Sequence, residues 1–275
     1  MASTRRKELV VLWKEVGRTP LQAIEAWKAR NPDHANVPAS YAGRLDPMAE
    51  GKLLVLLGDE CKRQKAYHAL DKEYRIEVLL DISSDTGDVL GMPEYADRNA
   101  APSNGQLRSV LRSETGTKTV PYPAFSSKTV NGKPLFQYAL EGTLDTIAIP
   151  EHDETIHSIR LMTISNLSRE TMGKRIHELL ARAPRSTEPS KVLGADFRQD
   201  VIRTAWDELL EALPKRSFTV LTLRVRCGSG AYMRTLADRI GTRLGTRALA
   251  LSIRRTRIGR YLPLGTLGMW LRQYR

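Results

Sequence analysis

Residues 41–57 read YAGRLDPMAEGKLLVLL, a loop bounded by Gly43, Pro47 and Gly51 that carries Asp46 and runs straight into five aliphatic residues, Leu53–Leu57. That run, opened by Lys52, predicts a buried strand. Upstream, residues 31–51 are rich in Pro, Gly, Ala and Asn without periodicity and read as a long loop, which in a compact domain is usually functional. Asp46 gains little structurally by leading into an apolar strand, yet read alone an aspartate in such a setting is more often an N-cap or turn residue.

Working outward, residues 7–13 (KELVVLW) predict a strand, and Thr19 before Pro20 predicts the N-cap of a helix with Leu21, Ile24 and Trp27 on one face. Downstream, Tyr74, Ile76, Val78 and Leu80 alternate within Lys72–Leu80, another strand. Met92–Gln106 reads as a surface connection and Asn131-Gly132 as a hairpin turn. Between 165 and 216, apolar residues recur at helical spacing over Ser168–Ala183 and Asp196–Leu213, with the polar link Arg185–Ser190 between them. Leu221, Leu223, Val225 and Cys227 then alternate as a half-buried strand, and Gly228-Ser229-Gly230 turns into a helix over about Ala231–Leu244. Together these predict an α+β (mixed α/β) domain with a helical hairpin inserted at about 165–216.

The chain has 275 residues, 41% of them hydrophobic and 27% charged, with a mean hydropathy of -0.37, the composition of a folded globular protein. No run approaches the roughly 20 apolar residues of a membrane span, and the apolar stretch after the basic start is too short for a secretory signal. Cys61 and Cys227 form neither a CxxC pair nor a disulfide framework, which suits a reducing cytoplasm. The formal charge of +12 is unevenly held: residues 215–275 contain one lysine, thirteen arginines and a single acid, Asp238, leaving 29 bases against 30 acids elsewhere. Such an arginine-rich end on a neutral body reads as a phosphate-contacting surface, or else as a solvated basic face.

Several chemistries are excluded. His34, His68, His152, His157 and His177 include no HExxH, neither cysteine has a ligand-spaced partner, and His152 and His157 among Glu151, Asp153 and Glu154 read as a solvated loop. Gly228-x-Gly230 lacks the third glycine of a dinucleotide fingerprint, where Met233 stands, and the Lys-Ser/Thr of a Walker loop. There is no GxSxG element.

The loop GRLDPMAEG followed by LLVLLG resembles the G-x-LDP-x-A-x-G-x-L signature of TruB-type tRNA pseudouridine synthases. Further segments resemble that family in its order. Lys14-x-x-Gly17-x-Thr19-Pro20 is similar to its KPxGxTS box and Lys72-Glu73-Tyr74 to its K-x-Y strand. Asp85-Thr86-Gly87-Asp88 with Gly91 resembles TDTxDxxG. Phe125-Ser126-Ser127 through Gly132 resembles YSAxKxxG, Gly230–Leu236 resembles GTYIRTL, and Ile253–Gly259 resembles LRRTRxG.

The resemblance implies the pseudouridine synthase fold, with a mixed, mostly antiparallel central sheet and flanking helices. It implies isomerisation of uridine in the tRNA T-loop (position 55): C1′–N1 breaks, the base turns and C1′–C5 forms, without cofactor. Asp46 matches the catalytic aspartate, which either attacks C1′ or removes the C2′ proton. Arg234 matches the arginine that pairs with it, Tyr74 the aromatic that stacks on the extruded base, and Tyr232 and Ile253 further pocket positions; Lys14 matches a residue supporting the loop, and Arg254 and Arg255 are expected to flank the base pocket. Tyr41 stands where the family has the histidine of HTG, Phe125 replaces a tyrosine, and Arg44 replaces a small residue.

The expected organisation is a single catalytic domain over 1–275, residues 261–275 being too short for a PUA domain. A monomer is expected, binding the tRNA T-arm through its arginine-rich C-terminal region and not a membrane. Two alternatives are a tRNA-binding or folding chaperone with reduced catalysis, and a synthase guided by a separate RNA.

Overall fold

Hydrophobic alternation in the central segments decides the architecture: Tyr74, Ile76, Val78 and Leu80 pack on one side of their strand and Leu79 on the other, all buried. The computed structural model describes residues 8–96, 101–183, 198–264 and 267–275. In order they form β1 (Leu9–Lys14), α1 (Pro20–Ala29), β2 (Ala39–Ala42), β3 (Ala49–Leu57), α2 (Lys65–His68), β4 (Asp71–Leu80), β5 (Ile82–Ser84) and β6 (Pro93–Tyr95). Next come α3 (Asn104–Ser113), β7 (Gly116–Pro121), β8 (Thr129–Val130), β9 (Lys133–Pro134), α4 (Leu135–Leu140), β10 (Glu151–Ser168) and α5 (Arg169–Ala181). The remainder is α6 (Gln199–Ala212), β11 (Ser217–Cys227), α7 (Met233–Arg243), β12 (Ala248–Leu264) and β13 (Leu267–Gln273).

The main sheet runs β1-β3-β12-β4-β11-β10-β7, with β2 added to β3 and β13 to β12. Only the β3–β12 pair within it is parallel, so the sheet is mixed and mostly antiparallel, as the fold class requires. One face of the central strands buries Tyr74, Ile76, Leu223, Val225 and Ile253 against Met233, Leu236 and Ile240 of α7. The other buries Leu79, Val220 and Leu249 against Met172, Ile176, Ile202 and Trp206 of α5 and α6. Strands covered on both faces read as continuous apolar runs, which is why β3 stood out in the sequence.

Local signals behave as their chemistry dictates. Thr19 caps α1 in a reciprocal capping box with Gln22, and Pro20 takes the first helical position. Asn131 and Gly132 both adopt positive φ, 51° and 78°, and join β8 to β9 as a tight hairpin.

Three expectations need correction. The supposed loop 31–51 contains strand β2, paired with β3 from Ala39 to Ala42. The acidic, histidine-bearing stretch read as a solvated loop is β10, an 18-residue strand held by β11 on one edge and β7 on the other. Its apolar pattern is faint because only Glu154 and Ile156 along it are buried. Residues 92–106 include β6 and the start of α3 in addition to a connection. The link Arg185–Ser190 lies outside the described residues, but the helices on either side, α5 and α6, pack together over the sheet.

Trp206 is fully buried in α6, and its indole Nε1 donates to the carbonyl of Val89 at 3.0 Å. Trp206→Ala removes both the packing and the hydrogen bond and is expected to cost about 3–5 kcal/mol. Thermal unfolding followed by circular dichroism should show a midpoint lower by about 10 °C.

Candidate active site

The loop between β2 and β3 is fixed from beneath by two buried cations. Lys14 donates its ammonium to the carbonyls of Glu15 (3.0 Å), Arg18 (2.7 Å) and Pro47 (3.4 Å). Arg255 donates Nε to Lys52 O (2.7 Å) and its two terminal nitrogens to the carbonyls of Gly43 (3.2 Å) and Arg44 (3.4 Å). Both side chains are fully buried. Burial, with Arg255 nearby, brings the Lys14 ammonium down to about 8, against the opposing pull of Asp46. Gly51 permits the close approach this requires: its φ is 117°, and a Cβ there would lie 2.3 Å from the Arg255 carbonyl oxygen.

Asp46 projects from this loop into a cavity of about 370 Å³. Its Oδ2 accepts from Nε of Arg234 at 2.8 Å, while the side chain keeps 35% exposure toward the cavity. Arg234 sits in the first turn of α7, where the helix dipole disfavours a cation. Carboxylates and carbonyls compensate: its terminal nitrogens donate to Thr86 O (2.5 Å) and Phe125 O (3.1 Å), and Asp88 Oδ2 lies 3.7 Å from Nε. Burial alone would lower this guanidinium; Asp46 and Asp88 together raise it. The turn from Thr86 to Asp88 fits because Gly87 has φ 78° and lies against Arg234, where a Cβ would meet the Arg234 Cβ at 3.1 Å.

Asp88, within the segment similar to TDTxDxxG, is a site residue that the sequence does not single out. It is buried, and its Oδ1 accepts from Thr86 Oγ1 and Leu90 N, each at 2.9 Å. Burial pushes its carboxyl up to about 6; Arg234, the Leu90 amide and Thr86 oppose that, and the charge of Asp46 adds to it. The dense Asp-Thr-Gly-Asp turn is the only signal of it that the sequence carries.

The structure brings Tyr74, Tyr232, Arg234 and Ile253 together with Asp46 around the cavity. Tyr74 is buried to 8% exposure, and burial raises its phenol despite the opposing Arg255. Tyr232 precedes α7, its amide held by Glu154 Oε2 at 3.1 Å. Arg44, Lys72, Phe125, Phe136 and Leu140 complete much of the wall; burial lowers the Lys72 ammonium to about 8.

Tyr41 does not line the cavity: it lies in β2, packed against the cluster of Leu12, Ile24, Leu53 and Val55. Arg255 lines the cavity but Arg254, expected beside it, points to the other face of the sheet, because successive strand residues alternate. Asp46 and Asp88 are the only acids among the lining residues, which include no histidine or cysteine. Among the described residues no cluster of three or more His, Cys, Asp or Glu is placed to hold a metal, and no helix is long and apolar enough to cross a membrane. One carboxylate, hydrogen-bonded to a buried arginine and facing an aromatic and aliphatic wall, suits nucleophilic attack on, or proton removal from, a substrate whose planar part lies against that wall.

Residues 35–177, a little over half of the chain, match the family model described as TruB family pseudouridylate synthase (N terminal domain). Curated relatives include tRNA pseudouridine synthase B of Nitrosomonas europaea, 29% identical over 75% of this chain and 50% of that protein. The tRNA pseudouridine synthase B of Listeria monocytogenes is 28% identical over 91% of this chain and 66% of its own length. The chain thus spans about half the length of the first of these. Among solved structures, a crystal structure of a Cbf5-Nop10-Gar1 complex has a similar fold, with TM-score 0.52 at 17% identity over 91% of this chain and 48% of that one.

The raised carboxyl of Asp88 sets a pH dependence. The folded protein takes up this proton as pH falls through about 6, whereas the unfolded chain waits until about 4. Ionised Asp88 therefore costs stability above about 6, and that cost disappears toward pH 4. In urea titrations, Asp88→Asn is expected to gain on the wild type by a few kcal/mol as pH rises from 4 to 7, with most of the change between about 4 and 6.

Proposed function

The chain belongs to the TruB family of pseudouridylate synthases, and on that premise we propose that it isomerises uridine to pseudouridine in RNA, acting on the T-loop uridine of tRNA. The observation that carries the reading is the Arg234–Asp46 contact at 2.8 Å at the edge of a cavity walled by Tyr74, Tyr232 and Ile253.

On this reading Arg234 holds and aims Asp46, and the carboxylate acts on the ribose. It either attacks C1′ as a nucleophile or takes the C2′ proton, and each route breaks the C1′–N1 bond. Uracil, freed but enclosed, stacks on Tyr74 and turns against Ile253. C5 then bonds to C1′ as the Asp46–C1′ ester bond breaks, or, on the other route, as Asp46 returns its proton to C2′; the C5 proton is lost and N1 gains one, so the carboxylate is regenerated and the reaction is a net isomerisation. A base inside a folded RNA must leave its stack to reach such a cavity, and a buried aromatic wall favours the extruded state. Exposed Arg44 at the rim is suited to a phosphate flanking the extruded nucleotide. Tyr41, away from the cavity, contacts RNA beyond the reacting base.

The described residues act as one catalytic domain, with α5 and α6 inserted between β10 and β11. Their apolar faces cover the sheet and Trp206 holds Val89, next to Asp88, which supports a scaffolding role for this pair. The C-terminal arginines contact the T-arm through those left without internal carboxylates; many are already paired, including Arg226 with Glu73, Arg239 with Glu114 and Glu154, and Arg257 with Glu73.

Incubation of a T-arm stem-loop with the wild type, followed by carbodiimide mapping and primer extension, is expected to reveal pseudouridine. Asp46→Asn should bind the RNA but lose at least about 10²–10⁴-fold in rate. Wild type that binds without modifying would instead support an RNA chaperone, and full activity in Asp46→Asn would remove the carboxylate from the mechanism.

A further inference from the structure

On the sheet face turned away from the cavity, four neighbouring strands place an arginine at the same level. Arg160 of β10 is in direct register with Arg224 of β11, Arg224 with Arg75 of β4, and Arg75 with Arg254 of β12. At about 4.8 Å between strands the row is about 14 Å long. Tyr74 and Ile253, next to Arg75 and Arg254 in sequence, line the cavity, so the row lies on the opposite face. Arg75, Arg160 and Arg254 are exposed and Arg224 is half-buried.

Like charges directly opposite each other in a sheet destabilise it, and three such contacts follow in succession here, with Arg254 alone of the four paired to a carboxylate among the described residues. Arg254 ends the row against Glu50 at 2.5 Å. The acids of the flanking levels are engaged elsewhere: Glu73 by Arg226 and Arg257, and Glu77 by Arg175 of α5. Beyond Glu50 stands Trp13, 52% exposed, with the Arg254 guanidinium 5.9 Å from its ring centroid.

We infer that this row binds the phosphate backbone of an RNA segment outside the loop that enters the cavity, a second contact on the back of the sheet. The inference takes RNA as the polyanion from the proposed function. Guanidinium forks match phosphate oxygens in pairs, and a phosphate chain laid across the strands supplies the counter-charge that the fold omits. The exposed indole at the end of the row offers a stacking surface for an unpaired base. An acidic protein segment would use the charges but not the indole.

The test compares wild type with Arg75→Gln/Arg160→Gln, neither residue being in the cavity, using a full-length tRNA transcript and an isolated T-arm stem-loop. The double variant is expected to bind the transcript about tenfold more weakly, with the slope of log affinity against log salt reduced by about 1–2. Stem-loop affinity and turnover at saturating RNA should be unchanged, and the melting temperature unchanged or raised as like charges are removed. The single exposed edge variant Arg160→Gln should show a smaller loss in the same direction, and serves if the double variant melts early. Unchanged transcript affinity and slope overturn the inference, as does an equal loss on the stem-loop. Wild type that binds both RNAs but makes no pseudouridine sinks the functional reading alone, because the row is measured by binding.

Discussion

The guanidinium of Arg234 is the contact on which the site depends. It is buried and ties its own helix to three segments distant in sequence: the loop of Asp46, the turn of Thr86 to Asp88, and the carbonyl of Phe125. A buried cation without partners costs several kcal/mol, so each segment is held in place by the same requirement. Asp46 and Asp88 share one positive charge, and the two are held unequally. Asp88, enclosed and farther from Nε, has its carboxyl raised; Asp46 has the closer contact and the open side. Two carboxylates in different surroundings thereby take different tasks.

The sheet separates two kinds of surface. On the cavity side, aromatic and aliphatic residues of β4 and β12 form a wall, with Arg255 and Lys14 bracing the loop below. On the far side the same strands present arginines in register. Alternation along a strand converts a single run such as Ile253-Arg254-Arg255 into three residues with unlike surroundings: cavity wall, open face and buried brace.

Much of the site was legible in the sequence where a residue's role is local or repeats with a period. The capping box at Thr19, the hairpin at Asn131-Gly132 and the alternation through Tyr74 each follow from chemistry within a few residues. The loop of Asp46 was legible through its motif. What escaped depends on partners far along the chain. β10 pairs with two strands yet buries almost nothing of its own, so its composition resembles a loop. Nor does sequence reveal that the C-terminal arginines meet acids of the neutral body: apart from Arg234, Arg254 and Arg255, the excess from Lys215 onward reads as a phosphate-contacting surface or a solvated basic face, whereas Arg226, Arg239, Arg243 and Arg257 carry internal ion pairs. Asp88 escaped as a participant because its neighbour Arg234 is brought close only by the fold.

The braces beneath the Asp46 loop also tie the site to the order in which the chain is made. Arg44 and Arg255 are 211 residues apart, and Lys14 reaches the same loop from the other end of the sequence. Domains emerge N-terminus first at a few residues per second, so β1, β3 and β4 leave the ribosome well before the strand that completes them. Until β12 arrives, the loop lacks its second cation and the sheet lacks the strand between β3 and β4. A ribosome-bound fragment that stops short of β12 therefore carries Asp46 without the surroundings that orient it, and the site matures only once that strand has emerged.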